Sequence, residues 1–230
     1  MALAGKLVAV TGAFGALGAV VVRAVQAAGA RVAAIDQAEA SRARGLGDAV
    51  LVGGVDLADA EAARSAMARA AEGLGGLDGL VNVAGGFRWE TLADGAIDTW
   101  DALYRMNLRT AAAACQAALP HFARRGGGRI VNIGAAASAK AAAGMGAYAA
   151  SKAGVARLTE ALAEEWKDQG VAVNAVLPSI IDTPRNREDM PKADFTRWVA
   201  PEALADVIVF LLSAQARAIT GALVPVTGRV

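Results

Sequence analysis

The chain is poor in the residues that most metal and nucleophile chemistry requires. Among 230 residues there is one cysteine and one histidine. Cys115 alone cannot close an internal disulfide. Lying in an Ala-rich run between Thr110 and Leu119, it reads as a small buried apolar residue, not a nucleophile. His121 follows Pro120 and reads as a structural or surface side chain. One histidine with scattered acids offers no metal-ligand spacing, and no Ser–His–Asp arrangement is visible. No metal is expected, and triad hydrolysis is set aside. No stretch reaches the roughly 20 apolar residues of a membrane span. The start, MALAGKLVAVTG, lacks the ordered regions of a signal peptide. A cytoplasmic protein without membrane contact is the expectation. The net charge is +1, with no basic tail or acidic block, so nucleic acid is not an expected partner.

What is present is a rhythm. Short apolar runs at Lys6–Thr11, Arg31–Ile35, 51–55, Gly79–Val83, Arg129–Ile133, 171–177 and 223–226 alternate with helical stretches. The helices read as Gly15–Gly29, Ala60–Leu74, 98–124, 148–169 and 201–212, with Gly170 ending the fourth and Pro201 opening the fifth. Near-continuous apolar strands suit a parallel sheet covered on both faces. The reading is an α/β Rossmann-type doubly wound fold of about seven strands. A (β/α)8 barrel would need one strand more. No linker divides the chain, so 1–230 reads as one domain with a proline- and charge-bearing loop over about 179–200.

The first strand runs into Thr11-Gly12 and the glycines Gly15 and Gly18. A glycine turn between strand and helix presents backbone N–H groups and a helix N-terminus to a pyrophosphate. Its place in the first strand–turn–helix unit makes it a dinucleotide signal. Asp36 ends the second strand. Its carboxylate can accept from both hydroxyls of an adenosine ribose and would repel a 2′-phosphate, which favours NAD(H) over NADP(H). Arg31, Arg42 and Arg44 are nearby arginines that could partly serve such a phosphate. Asp56 follows the third strand, to meet adenine or simply to cap the next helix. Asn82-Val83-Ala84-Gly85-Gly86 closes the fourth strand with small residues that let the backbone pass near a cofactor.

Tyr148 and Lys152 stand four apart, on one face of a helix. The ammonium can lower the phenol pKa and orient a ribose, and the phenol can exchange a proton as hydride moves. Asn107, in an otherwise apolar run, needs partners; it either holds a water for Lys152 or makes a helix–helix hydrogen bond.

On these residues the chain resembles the short-chain dehydrogenase/reductases over nearly its full length. The glycine motif T-G-x-x-x-G-x-G maps to Thr11 through Gly18, with Ala16 at the middle glycine place and Gly15 one position early. The resemblance implies cofactor contacts at Gly12, Phe14, Gly15, Ala16, Leu17, Gly18, Asp36, Asp56, Leu57, Asn82, Ala84 and Gly85. It extends them to Tyr148, Lys152, Pro178, Ile181 and Thr183. It also implies catalysis by Tyr148, Lys152 and Asn107. Ser179 stands where the family has glycine. The family serine that grips a substrate oxygen, thirteen residues before the tyrosine, is here Ala135; Ser138 lies three residues later. The long helices 98–124 and 148–169 imply a homodimer or homotetramer.

A narrower resemblance is to the quinonoid dihydropteridine reductases. It rests on Gly12 through Gly18 (GAFGALG), alanine at the serine place and Ala84-Gly85-Gly86-Phe87. It rests also on the run from Asp182-Thr183-Pro184 through Met190-Pro191-Lys192-Ala193-Asp194-Phe195 to Trp198. A flat, electron-poor imine held by Phe87, Trp89 or Trp198 would need a serine less than a ketone does. The run Tyr148-Ala-Ala-Ser-Lys152 is equally similar to 3-oxoacyl thioester and alcohol oxidoreductases working with a weakened site. A nucleotide-binding scaffold without catalysis is the third alternative.

Overall fold

A computed structural model describes residues Met1 to Val230. Its centre is a seven-stranded, wholly parallel sheet in the order β3-β2-β1-β4-β5-β6-β7. The strands are β1 (Leu7–Thr11), β2 (Arg31–Ile35), β3 (Val50–Val52), β4 (Gly79–Asn82), β5 (Gly128–Ile133), β6 (Val171–Pro178) and β7 (Leu223–Val226). The expected doubly wound α/β architecture is therefore found.

Alternate side chains of each strand feed opposite faces. On one face Ala9, Ile35, Leu80 and Ile130 pack under α2 (Ala60–Leu74), α4 (Thr110–Arg125) and α5 (Gly146–Trp166). On the other, Val10, Ala34, Val81 and Val131 pack under α1 (Ala16–Ala27) and α7 (Pro201–Leu212). Alanine dominates the contact faces of α2 and α4, which lets these helices lie close to the sheet and to each other. No helix is long and apolar enough to cross a membrane.

Three local features differ from the sequence reading. The third strand ends at Val52, not Val55. Gly54 has φ +73°, and a Cβ on Gly53 would meet the Ala40 nitrogen at 2.2 Å, so the chain turns out of the sheet there. The long helical stretch runs unbroken from Asp98 to Arg125, but its middle is π-wound: α3 (Asp98–Leu103) passes through a π-helical segment at Tyr104–Arg109 into α4. The 179–200 loop carries regular structure. It holds α6 (Pro184–Asp189), capped by Thr183, and a 3₁₀ turn at Phe195–Arg197. An isolated parallel bridge between Ile181 and Val199 pins its two ends together.

Strand order reverses between β1 and β4. A crevice at the carboxyl ends of these strands is where such a sheet receives a ligand, because neighbouring crossovers there diverge to opposite faces.

Candidate active site

The glycine turn after β1 is shaped by two close approaches. Gly12 has φ +62°, and a Cβ there would meet the Ala84 nitrogen at 2.7 Å. A Cβ on Gly18 would stand 2.0 Å from the Gly12 carbonyl oxygen. Only glycine lets the turn fold back on its own helix. No side chain caps α1 and no acid lies in its first turn, so the N–H groups around Ala16, Leu17 and Gly18 remain for an anion. These features fit the phosphates of a dinucleotide.

Asp36 ties this turn to the end of β2. One carboxylate oxygen accepts the Phe14 N–H at 2.8 Å and the other the Ala38 N–H at 2.9 Å. Each oxygen keeps a lone pair for a ribose hydroxyl. Two of the three arginines are turned away from it. Arg31 reaches the other way, donating to the Leu74 and Gly73 carbonyls at the end of α2. Arg44 folds onto the carbonyls of Ser41 and Ala43.

Asp56 accepts the Ala58 N–H and the Arg105 guanidinium, the latter at 2.6 Å. Those two bonds, the backbone one first, hold its pKa below the usual carboxylate value. It does not cap α2; Asp59 does, accepting from Ala62. The neighbouring Leu57 side chain is buried. Arg105 was not singled out from sequence, although its place two residues before Asn107 was a usable signal.

Asn82 lies at the cleft but turns its side chain inward. Its amide donates to Asn132 at 2.9 Å and to the Cys115 sulfur at 3.2 Å, and its oxygen accepts from Thr11. Thr11 in turn accepts the Ala84 N–H, and Asn132 donates to Thr159. The Asn82 side chain therefore braces the strands and has no amide proton left for a cofactor. Cys115 is fully buried, and desolvation pushes its thiol up to about 12, so it is inert.

Tyr148 and Lys152 share one face of α5, which begins two residues before Tyr148. The Lys152 Nζ donates to the Ile133 carbonyl at 2.8 Å, and burial lowers its pKa to about 8. Burial also raises Tyr148 to about 12, so the expected lowering of the phenol by the lysine is not found in this arrangement. A phenol so placed keeps its proton at neutral pH. For Asn107 the second of its two expected roles, a helix–helix hydrogen bond, is found. Its oxygen accepts the Gly86 N–H at 2.9 Å, and its amide donates to Gly86 O and to the Ser151 hydroxyl. Both amide protons are spent, so none is free to hold a water for Lys152. Ser151 donates to the Tyr148 carbonyl at 2.7 Å, which couples Asn107 to the tyrosine. Ser151 was missed in the sequence, though it lies inside the Tyr–Lys motif.

Gly85 fits between these groups: a Cβ there would come 2.6 Å from Asn107 Oδ1 and 3.4 Å from Lys152 Nζ. Ala135 is buried and extended at the end of β5. Ser138 closes the 3₁₀ turn Ala136–Ser138, and its hydroxyl makes no hydrogen bond.

The aromatic side chains near Tyr148 and in the 179–200 loop are unequally exposed. The Phe87 ring meets Tyr148 edge-on, 4.9 Å between centroids at 85°. Phe87 and Trp89 are exposed, and the Trp89 indole donates to the Ala143 carbonyl at 3.0 Å. Trp198 is buried and packs against Phe195, so it supports the loop and presents little surface. Arg187 stacks on Phe195 and forks onto Asp182 at 2.6 and 2.7 Å. Thr183 accepts the Asn186 backbone N–H, and the Asn186 side-chain amide donates to the Ile181 carbonyl; the Thr183 O–H stays free to donate. The Ser179 hydroxyl is spent on the Thr227 carbonyl. Pro178 is buried at the end of β6.

The chain matches the short chain dehydrogenase family over residues 6–194. A D-threitol dehydrogenase of Mycolicibacterium smegmatis is 35% identical, covering 96% of this chain and 90% of its own length. The 3-oxoacyl-[acyl-carrier-protein] reductase FabG of Pseudomonas aeruginosa is also 35% identical, over 99% of this chain and 98% of its own. Among solved structures, a short chain dehydrogenase from Burkholderia cenocepacia in complex with NADP has a TM-score of 0.90 at 34% identity. It spans 99% of this chain and 98% of its own.

Proposed function

The chain belongs to the short-chain dehydrogenase family, a nicotinamide-dependent oxidoreductase fold, and on that premise we propose an NADH-dependent reductase of flat conjugated imines of the quinonoid dihydropteridine type. The observation that carries this reading is Ala135, a buried methyl where a ketone reductase would place an oxygen-gripping hydroxyl. Losing one such donor costs roughly 2 to 4 kcal/mol of transition-state stabilisation when the substrate is a carbonyl. A planar ring held by stacking does not depend on it. Phe87 lies edge-on to Tyr148 and supplies an aromatic wall beside the proton donor, with Trp89 following on the same strand exit.

A bound nicotinamide would supply the hydride. Tyr148 gives its proton to the substrate nitrogen, and burial keeps that proton in place until it is needed. Lys152, anchored on Ile133 O, would hold the ribose side of the cofactor. Asn107 and Ser151 fix the start of the helix that carries both. Asp36 selects the unphosphorylated ribose. The exposed side chains of Tyr104 and Met106, with the outer faces of α4 and α5, support subunit contact in a dimer or tetramer.

A second reading has its own support: the relatives named for D-threitol and 3-oxoacyl substrates are alcohol and ketone enzymes. Steady-state kcat/KM should decide. With NADH, quinonoid dihydropteridine is expected to exceed acetoacetyl thioesters and simple ketones by at least about tenfold. Turnover of ketones alone would reject the imine assignment. NADH is expected to exceed NADPH by about tenfold or more, and equal use of the two would remove the role given to Asp36.

A further inference from the structure

At the opposite end of the sheet, where β1, β4, β5 and β6 begin, lies a cavity of about 340 Å³. It gathers five cations, Lys6, Arg125, Arg129, Lys167 and Arg217, around one carboxylate, Asp78. The whole chain is nearly neutral, with 23 basic and 22 acidic residues, so this surplus is local. Arg125 is paired with Asp78 at 2.9 Å and Lys167 with Glu164 at 2.6 Å. Lys6, Arg129 and Arg217 take part in no ion pair.

Arg129 is the most telling of the three. It is half-buried, yet its guanidinium makes a single long hydrogen bond, to the Ala216 carbonyl at 3.4 Å. Burial without a carboxylate holds its pKa below the ordinary arginine value. Arg31, at the start of β2, instead satisfies its guanidinium on two carbonyls at 2.7 and 3.1 Å. Thr220, on the same cavity wall, accepts the Val173 N–H and keeps its O–H free to donate. A concave, cationic site with an under-used guanidinium fork has the chemistry of phosphate recognition.

We propose that this cavity binds a small phosphate-bearing anion, held by Arg129 and Arg217 with Lys6 adding charge. A five-residue strand such as β1 spans about 15 Å, so an anion there touches neither the glycine turn nor Tyr148. It would instead tie the starts of β1 and β5 to the segment that leads into β7.

The test is calorimetric titration of the NADH-saturated protein with inorganic pyrophosphate, with ionic strength held by sodium chloride. Saturation with NADH fills the dinucleotide's own phosphate site. The expected result is one binding event with a Kd below about 1 mM. Arg217→Met and Lys6→Met should each weaken it, about tenfold for the arginine, with NADH affinity and kcat unchanged. Both side chains are exposed, so neither variant threatens the fold. Absence of binding, or binding indifferent to both substitutions, overturns the proposal. A parallel titration with citrate separates phosphate from carboxylate: citrate binding as tightly as pyrophosphate would reject the phosphate assignment.

Discussion

The two sides of the cleft are built differently. On the dinucleotide side, backbone groups fix the functional side chains. Asp36 is held by two N–H groups, Asp56 by one together with the Arg105 guanidinium, and the glycine turn by its approach to its own carbonyl. On the substrate side, rings and side-chain pairs do the holding: Phe87 on Tyr148, Trp89 over Gly144, Arg187 between Asp182 and Phe195. The first construction serves a ligand of constant shape. The second can be refitted by changing a few side chains, which suits a family whose members act on different substrates. Tyr148 and Lys152 stand where the two meet.

The largest effect is expected at that meeting point. Tyr148→Phe keeps the ring against Phe87 and removes only the proton. On the assignment made above, kcat should fall by about 10² to 10⁴ while NADH affinity, set on the other side, changes little. Stopped-flow fluorescence of NADH binding, set beside turnover, separates the two. Undiminished turnover would show that the proton comes from elsewhere.

Lys152 probes the same boundary through pH. Its folded pKa of about 8 lies below the ordinary 10.5 because burial penalises the charge. Below pH 8 both folded and unfolded chains carry the proton, and the cost of burying it is fully felt. Between pH 8 and 10.5 the unfolded chain holds more protons, so stability rises with pH. Relative to Lys152→Met, the wild type should therefore gain up to roughly 3 kcal/mol across that window. Urea unfolding of both proteins from pH 7 to 10 reads the difference, and Tyr148, present in both, cancels. A difference that stays flat with pH would mean that the amine is solvated in the folded protein.

Ala135→Ser tests the substrate side directly. If the alanine marks a site that has given up carbonyls, the new hydroxyl should raise ketone kcat/KM by about ten- to a hundredfold. Quinonoid dihydropteridine turnover should rise far less. A uniform change for both substrates would remove Ala135 from the specificity argument.

The same division explains what could be read from the residues alone. The strand–helix alternation and the glycine turn are local patterns, and the seven-stranded sheet followed from them. The place of Asp36 directly after a strand was legible in the same way. Partners distant in sequence were not. The Asn82–Asn132–Thr159 chain joins residues on three elements, so the role of Asn82 as a brace appears only once the strands pair. Asn107 was recognised as needing partners, but Gly86 and Ser151 as those partners depend on how α5 lies against the π-helical segment. Trp198 looked like a substrate wall because an aromatic in a loop carries no sign of which way it faces.

Gly144→Ala is the smallest of these perturbations and the most confined. Gly144 has φ +73°, and a Cβ there would stand 2.2 Å from the Trp89 ring. The backbone strain of a left-handed alanine is about 1 kcal/mol, and the tryptophan must also swing away. Trp89 is exposed and held mainly by one hydrogen bond to Ala143, so it can move without disturbing the core. The expected outcome is a KM for the ring substrate raised about three- to tenfold, with NADH affinity unchanged and the melting temperature lowered by only a few degrees. If NADH binding weakened in step with the substrate KM, the two sides of the cleft would be mechanically coupled through the segment that follows β5. The contrast between a backbone-fixed half and a side-chain-fixed half would then fail at its most exposed point.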